Sequence, residues 1–191
     1  METYKQIYKK TVEMVTNEIS TALLSADIDS IERFSKDLCE AEHVFMTGVG
    51  RVKMSLEAFT KRLSHLGISA HCVGDITEPC MTDKDILVVG SGSGESIVPL
   101  AIARKAKEIG AKRIIHIGSN PNGSMSEYAD YMVRLPVRTR LYLENELNSE
   151  QIMTSLFEQS LLILGDVICK ILIDEKELDL RELWRYHANL E

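Results

Sequence analysis

Apolar residues recur every three to four positions over residues 2 to about 24, at Ile7, Tyr8, Val12, Val15, Ile19, Leu23 and Leu24. That spacing predicts an amphipathic helix. Ser25-Ala26-Asp27 breaks the period, and a second helix starting near Asp29 uses Ile31, Phe34 and Leu38. From His43 the pattern becomes a β-rich run, Val44-Phe45-Met46-Thr47, ending in Gly48-Val49-Gly50-Arg51. The helix that follows carries Met54, Ala58, Phe59, Leu63 and Leu66 on one side and is closed by Gly67. A short strand over residues 69–73 and a loop over 75–79 lead into a second buried-type run, Ile86-Leu87-Val88-Val89. After it come a Ser/Gly loop and a helix to about Ile109 with a Gly110 stop; Pro99 falls in the first turn, where a missing N–H costs least. Residues 113–118 and 131–135 are the last two strands, and Pro136 ends the second. Residues 136–151 are polar and irregular, a lid or subunit-contact loop. A long helix over 152–173 places Ile152, Met153, Leu156, Phe157, Leu161, Leu164, Val167, Ile168, Ile171 and Leu172 on its apolar face. A short helix over 177–191 is docked by Leu180, Leu183 and Trp184.

Strands that are apolar throughout and alternate with helices predict an α/β protein: a three-layer, doubly wound, mainly five-stranded parallel sheet flanked by helices. The expected organisation is one domain over 1–191. Its N-terminal helices (about 2–41) and C-terminal helices (about 152–188) would pack on the sheet or at subunit contacts. In such sheets ligands sit at the carboxyl ends of the strands, so the loops after Thr47 and Gly90 face one crevice if their strands are neighbours.

The 191 residues carry a net charge of −7, which argues against a nucleic-acid or anionic-membrane partner, since both select basic surfaces. An anionic ligand must therefore be held locally. No apolar run follows Met1, so no signal peptide is expected. Cys39, Cys72, Cys80 and Cys169 are scattered without paired spacing, and the five histidines show no metal-ligand spacing. Both observations suit reduced thiols in the cytoplasm and no metal site.

The candidate chemistry begins at Gly90-Ser91-Gly92-Ser93-Gly94-Glu95-Ser96. A Ser/Gly turn between strand and helix is either a tight turn with capping serines or an anion cradle. Two hydroxyls and three glycines in the first five positions favour phosphate. Glu158 lies at helical spacing from Gln151, Thr154 and Ser155 on one side and from Leu161, Leu162 and Gly165 on the other. By periodicity alone it is either a solvated helix residue or the carboxylate of a site. No Gly-x-x-x-x-Gly-Lys-Ser/Thr motif occurs, and Gly48-Val49-Gly50 lacks the third glycine of a dinucleotide fingerprint.

These residues resemble the sugar isomerase (SIS) domain family, and within it the 6-phospho-3-hexuloisomerase family. The likeness rests on Gly48-Val49-Gly50-Arg51, Arg62-Leu63-Ser64-His65-Leu66-Gly67 and Val73-Gly74-Asp75 with Thr77 and Pro79. It continues with Ser91 to Ser96, Ser155-Leu156-Phe157-Glu158-Gln159 and the ending His187-Ala188-Asn189-Leu190-Glu191, and so spans nearly the whole chain. The resemblance implies a flavodoxin-like strand order and conversion of D-arabino-hex-3-ulose 6-phosphate to fructose 6-phosphate without metal or organic cofactor. It also implies a homodimer or homotetramer with sites near subunit interfaces. On this reading Glu158 is the base, its basicity raised by apolar neighbours, and His187 is the proton shuttle, in its own subunit or a neighbour's. Gly50, Arg51, Ser91, Gly92, Ser93, Gly94 and Ser96 bind the substrate, while Glu95 points away from the phosphate and favours the helix dipole.

Two departures stand out. The family's first loop commonly reads Gly-x-Gly-Arg-Ser-Gly, whereas Val52 and Lys53 follow Arg51 here. Lys53 either supplies charge to the substrate in place of the lost hydroxyl or is a solvated helix residue. The segment Gln151-Ile152-Met153-Thr154 replaces the usual Pro-Met-Gly, behind an acidic and apolar loop, Leu141-Tyr142-Leu143-Glu144-Asn145-Glu146. These changes leave open an isomerase of another sugar phosphate, or a non-catalytic sugar-phosphate-binding regulator.

Overall fold

The structure is a computed structural model that describes residues 2–190; Met1 and Glu191, the last residue of the C-terminal motif, lie outside the described residues. Strands β1 (Val44–Thr47) and β3 (Ile86–Gly90) are buried at every position, as expected of strands covered on both faces. With β2 (Ala70–Cys72), β4 (Arg113–Gly118) and β5 (Tyr131–Arg134) they form one five-stranded sheet in the order β2-β1-β3-β4-β5. Every pairing is parallel. The chain reverses its direction of travel between β1 and β3, the switch point at which such sheets open a crevice. Thr47 pairs with Val89, so the loops after β1 and β3 leave the sheet side by side.

Alternation along the strands divides the core. Val44, Met46, Ile86, Val88, Ile115 and Ile117 face helices α2 (Ile28–Glu40), α3 (Gly50–His65) and α5 (Ser155–Glu175). Phe45, Leu87, Val89 and Ile114 face α4 (Ile97–Ile109) and a short 3-10 turn, Ser124–Glu127. Helices α3 and α5 approach closely because Gly165 presents no side chain; a Cβ there would lie 2.7 Å from Phe59 Cγ. Nearer their starts, Ser55 of α3 bonds the Glu158 carbonyl of α5, which brings together the ends that carry Arg51 and Glu158.

Helix α1 (Tyr4–Leu24) covers the core only through its C-terminal half, at Ile19, Ala22 and Leu23; Ile7, Tyr8, Val12 and Leu24 are exposed. Two expectations about the helices need correction, those for α5 and for the C-terminal segment. Helix α5 begins at Ser155 rather than 152. Ile152 and Met153 stand in solvent in a turn in which Met153 adopts φ 51°, so their apolar character contributes nothing to the core. Val167 and Ile171 also lie partly exposed, because the face that packs runs through Leu161, Leu164, Ile168 and Leu172. The C-terminal segment forms only a 3-10 turn, Glu182–Tyr186, with Leu180 and Trp184 largely exposed.

Candidate active site at the carboxyl ends of β1 and β3

A cavity of about 560 Å³ opens where the two central strands end. Its walls are the Ser/Gly loop (Gly90 to Ser93, Glu95, Ser96) with the first residues of α4, the first loop (Val49, Gly50, Arg51, Val52), the start of α5 (Thr154, Phe157, Glu158) and two residues beyond β5, Thr139 and Arg140.

The Ser/Gly loop is shaped from behind. His116, at the fourth position of β4, shares a 2.8 Å hydrogen bond between its Nε2 and the Ser91 carbonyl oxygen. The Gly92 carbonyl accepts from the N–H groups of Ser119 (2.9 Å) and Asn120 (3.1 Å). Asn120 Nδ2 donates to the Ser93 carbonyl at 3.1 Å, and the Met125 N–H donates to that of Gly94 at 3.1 Å. Four successive carbonyls are thus turned toward β4 and the loop after it; the Ser91, Gly94 and Glu95 N–H groups are bonded to Ile117, Ser91 and Ser93, which leaves those of Gly92 and Ser93 for a ligand. Gly94 permits the turn, since its φ of +71° is costly for any residue with a side chain. Ser96 precedes α4 but makes no side-chain cap; its Oγ accepts instead from Ser91 Oγ at 3.2 Å. The first-turn N–H groups of α4 therefore remain oriented as an anion site. His116 is almost fully buried, and desolvation holds its pKa below the ordinary histidine value, so near neutral pH the ring is uncharged and Nε2–H is the donor to Ser91.

Glu95 lines the cavity wall rather than pointing away from it, and its carboxylate is held there. Its carboxylate accepts from Ser124 Oγ (2.7 Å) and the Ser124 N–H (2.8 Å), and these bonds lower its pKa. The nearby charge of Arg140 adds to the lowering. The carboxylate is thereby tied to the 3-10 turn.

Glu158 is buried and faces the cavity from the first turn of α5. Its surroundings are not simply apolar. Thr154 Oγ1 donates to Oε1 at 2.9 Å, and Arg51 Nε donates to Oε2 in an ion pair. Ser55 Oγ donates to the Glu158 carbonyl at 2.8 Å and locks the base of the residue to α3. The carboxylate is therefore aimed and fixed at both oxygens.

Arg51, Glu158, Ser91, Gly92, Ser93, Ser96 and Gly50 meet in this cavity, with Gly94 supplying the turn of the loop. Lys53 does not line it. Two residues along α3 from Arg51, it projects to the opposite side, where its ammonium lies 3.6 Å from Glu57 on the solvated face. The lost hydroxyl of the first loop is thus not replaced by this lysine. Val52 occupies that position and packs its methyl groups beneath the strand ends: a Cβ on Gly90 would lie 2.8 Å from Val52 Cγ1. His187 is also absent from this cavity. It stacks on His65, ring centroids 5.2 Å apart, and lines a separate cavity of about 200 Å³ with Arg62, Leu66 and Trp184.

Arg140, Thr139, His116 and Asn120 escaped the sequence reading. The first two lie in an irregular loop without periodicity, and the last two read as ordinary strand and turn residues. Among the described residues no cluster of three or more His, Cys, Asp or Glu side chains could hold a metal ion, and no helix is long and apolar enough to cross a membrane.

A family model described as the SIS domain matches residues 37–163. The chain is 31% identical to 3-hexulose-6-phosphate isomerase of Bacillus subtilis (strain 168), covering 95% of this chain and 100% of that protein. It is 32% identical to 3-hexulose-6-phosphate isomerase of Mycobacterium gastri, covering 94% and 89%. Among solved structures it is similar to a Methanococcus jannaschii protein whose structure is described as inferring the molecular function of 3-hexulose-6-phosphate isomerase. That match has a TM-score of 0.81 at 30% identity and covers 95% of this chain and 99% of the other.

Proposed function

The chain belongs to the SIS domain family, and from that premise we propose that it is a sugar-phosphate isomerase interconverting D-arabino-hex-3-ulose 6-phosphate and fructose 6-phosphate. The observation that carries this reading is the placement of the Glu158 carboxylate, held by Arg51 and Thr154, in the same cavity as the Ser91 to Ser96 loop. The loop and the α4 N-terminus hold the phosphate, which sets C2 and C3 against the carboxylate. Glu158 removes the C2 proton of the 3-ulose, the 2,3-enediol forms, and the same carboxylate returns a proton to C3, leaving the carbonyl at C2. Arg51 holds the carboxylate through Nε, and its remaining N–H groups serve the substrate oxygens. A shuttle between O2 and O3 completes the step. His187 has the chemistry for it; since it lines a different cavity within one chain, on this reading it acts in a neighbour's cavity in a homodimer or homotetramer. The reaction class belongs to formaldehyde assimilation through ribulose monophosphate. The four free thiols, two of them buried, suit a cytoplasmic setting.

One observation favours a second reading within the same chemistry. Val52 presents methyl groups where the family commonly has a serine hydroxyl, so another ketose phosphate, with one polar contact fewer at that wall, fits the first loop equally well.

The test is to follow solvent deuterium into C2 or C3 of candidate sugar phosphates. Label at C2 of the hex-3-ulose 6-phosphate and at C3 of fructose 6-phosphate is expected. Absence of exchange with every hexulose and pentulose phosphate would sink the isomerase reading.

A further inference from the structure

The segment between β5 and α5 contains a buried carboxylate that does not reach the cavity. Glu146 is 9% exposed and makes no ion pair among the described residues. Its charge is met by donors of its own loop: Thr139 Oγ1 at 2.7 Å on Oε1, and the N–H groups of Thr139 and Leu143, each at 3.0 Å, on Oε2. Ser119 Oγ, 2.8 Å from the Val137 carbonyl and 3.2 Å from Oε1, shares its single proton between them. Thr139 Oγ1 in turn accepts from the Leu141 N–H at 3.2 Å. One side chain therefore gathers residues 139–143 into a fixed shape, including the left-handed Tyr142 at φ 51°. That shape has an outward product: Thr139 and Arg140 form the cavity wall beside the Ser/Gly loop. The fit is close, since a Cβ on Gly92 would lie 3.4 Å from Thr139 Cγ2.

Resting on the sugar-phosphate reading of that cavity, we propose that Glu146 is a positioning residue for phosphate binding, acting through Thr139 and Arg140. A carboxylate ligated by backbone N–H groups replaces the regular hydrogen bonding that an irregular segment lacks. It holds Arg140, a cation of the cavity wall whose charge also acts on Glu95, beside the Ser/Gly loop. Affinity for the phosphate thus depends on a residue that never touches it.

The experiment measures inorganic phosphate and fructose 6-phosphate binding by calorimetry, together with KM and kcat, for Glu146→Gln, Glu146→Asp, Arg140→Ala and the Glu146→Gln/Arg140→Ala pair. The single amide oxygen left by Glu146→Gln can accept from only one of the two donor sets, the Thr139 and Leu143 N–H groups or the Thr139 and Ser119 hydroxyls, and its NH2 group then faces the other. Glu146→Gln should therefore weaken phosphate binding and raise KM roughly tenfold, the scale of one lost hydrogen bond to a charged group, with kcat within about twofold. Glu146→Asp should recover part of that loss. The double variant should lose less than the sum of the two single losses, because the first change acts in part through the second residue. Additive losses, or a fall in kcat at unchanged phosphate affinity, would overturn the proposal. The calorimetric arm needs no turnover, so failure of the isomerase reading leaves this outcome separately readable. If Glu146→Gln does not fold, Glu146→Asp against Arg140→Ala decides the same question.

Discussion

His187 stacks on His65 at the end of α3 opposite to the one that pairs Arg51 with Glu158. At about 1.5 Å of rise per residue, Arg51 and His65 are roughly 21 Å apart along the helix, far beyond the reach of a proton transfer. The two residues that the resemblance assigns to catalysis can therefore cooperate only if one chain supplies the base and another the shuttle. The exposed first half of α1, with Tyr4, Ile7, Tyr8 and Val12, and the partly exposed Val167 and Ile171 of α5 leave apolar surface for such an assembly.

Complementation tests this directly. Glu158→Gln and His187→Ala should each lower turnover by about a hundredfold or more. Co-expressed, the two inactive chains should regain activity well above either parent, because some cavities then combine an intact Glu158 with an intact His187. A co-expressed pair no more active than its parents, with both single losses confirmed, places His187 outside the shared-site scheme.

The Arg51–Glu158 pair belongs to the cavity rather than to the scaffold. The Arg51 side chain is 61% exposed, and an ion pair with so open a partner adds less than about 1 kcal/mol to folding. Arg51→Lys should leave the urea midpoint nearly unchanged. It should cut kcat/KM by about tenfold or more, because an ammonium cannot hold the carboxylate through one nitrogen and offer a planar fork to the substrate with the others. A large stability loss with retained activity would reverse this assignment.

The strands, the parallel sheet and the Ser/Gly loop were legible because burial on both faces leaves unbroken apolar runs, and because glycine and serine punctuate the strand-to-helix junction. Glu158 was legible as a carboxylate at the polar end of an apolar helix. What remained hidden was whatever depends on long-range partners. Arg140 reaches the cavity because Glu146 bends its loop, and Lys53 turns to Glu57 because α3 rotates it away from Arg51. The start of α5 was misplaced because Ile152 and Met153 continue an apolar period past the helix boundary into an exposed turn.

Gly118 is the tightest of these hidden constraints. A Cβ there would lie 2.3 Å from His116 Nε2 and 2.5 Å from the Ser91 carbonyl oxygen, inside the bond that shapes the Ser/Gly loop. Gly118→Ala should cost about 1–3 kcal/mol of stability through overpacking. It should also weaken sugar-phosphate binding, since Ser91 can be accommodated only by moving the loop. A crystal structure of the variant with an unmoved loop and unchanged KM would falsify the link.

Burial of the His116 ring makes the fold sensitive to acid, because desolvation outweighs the opposing effect of its bond to Ser91. Burial depresses the pKa of His116 in the folded chain below the value near 6.5 that it regains on unfolding. Between these two values the unfolded chain binds more protons, so stability rises with pH there. The contribution is fully present above about pH 6.5 and is lost as pH falls toward the folded pKa, with a slope of at most about 1.4 kcal/mol per pH unit for one proton. His71, also depressed by burial and by the charge of His43, acts with the same sign. A comparison that alters only His116 cancels the His71 contribution. Urea midpoints measured at pH 7.5 and 5.5 for the native protein and His116→Gln should show a smaller acid-side loss in the variant, whose amide N–H is a donor that does not titrate. Equal losses in the two proteins would mean that the imidazole beneath Ser91 accepts its proton without disturbing the loop, and that another group sets the acid limit.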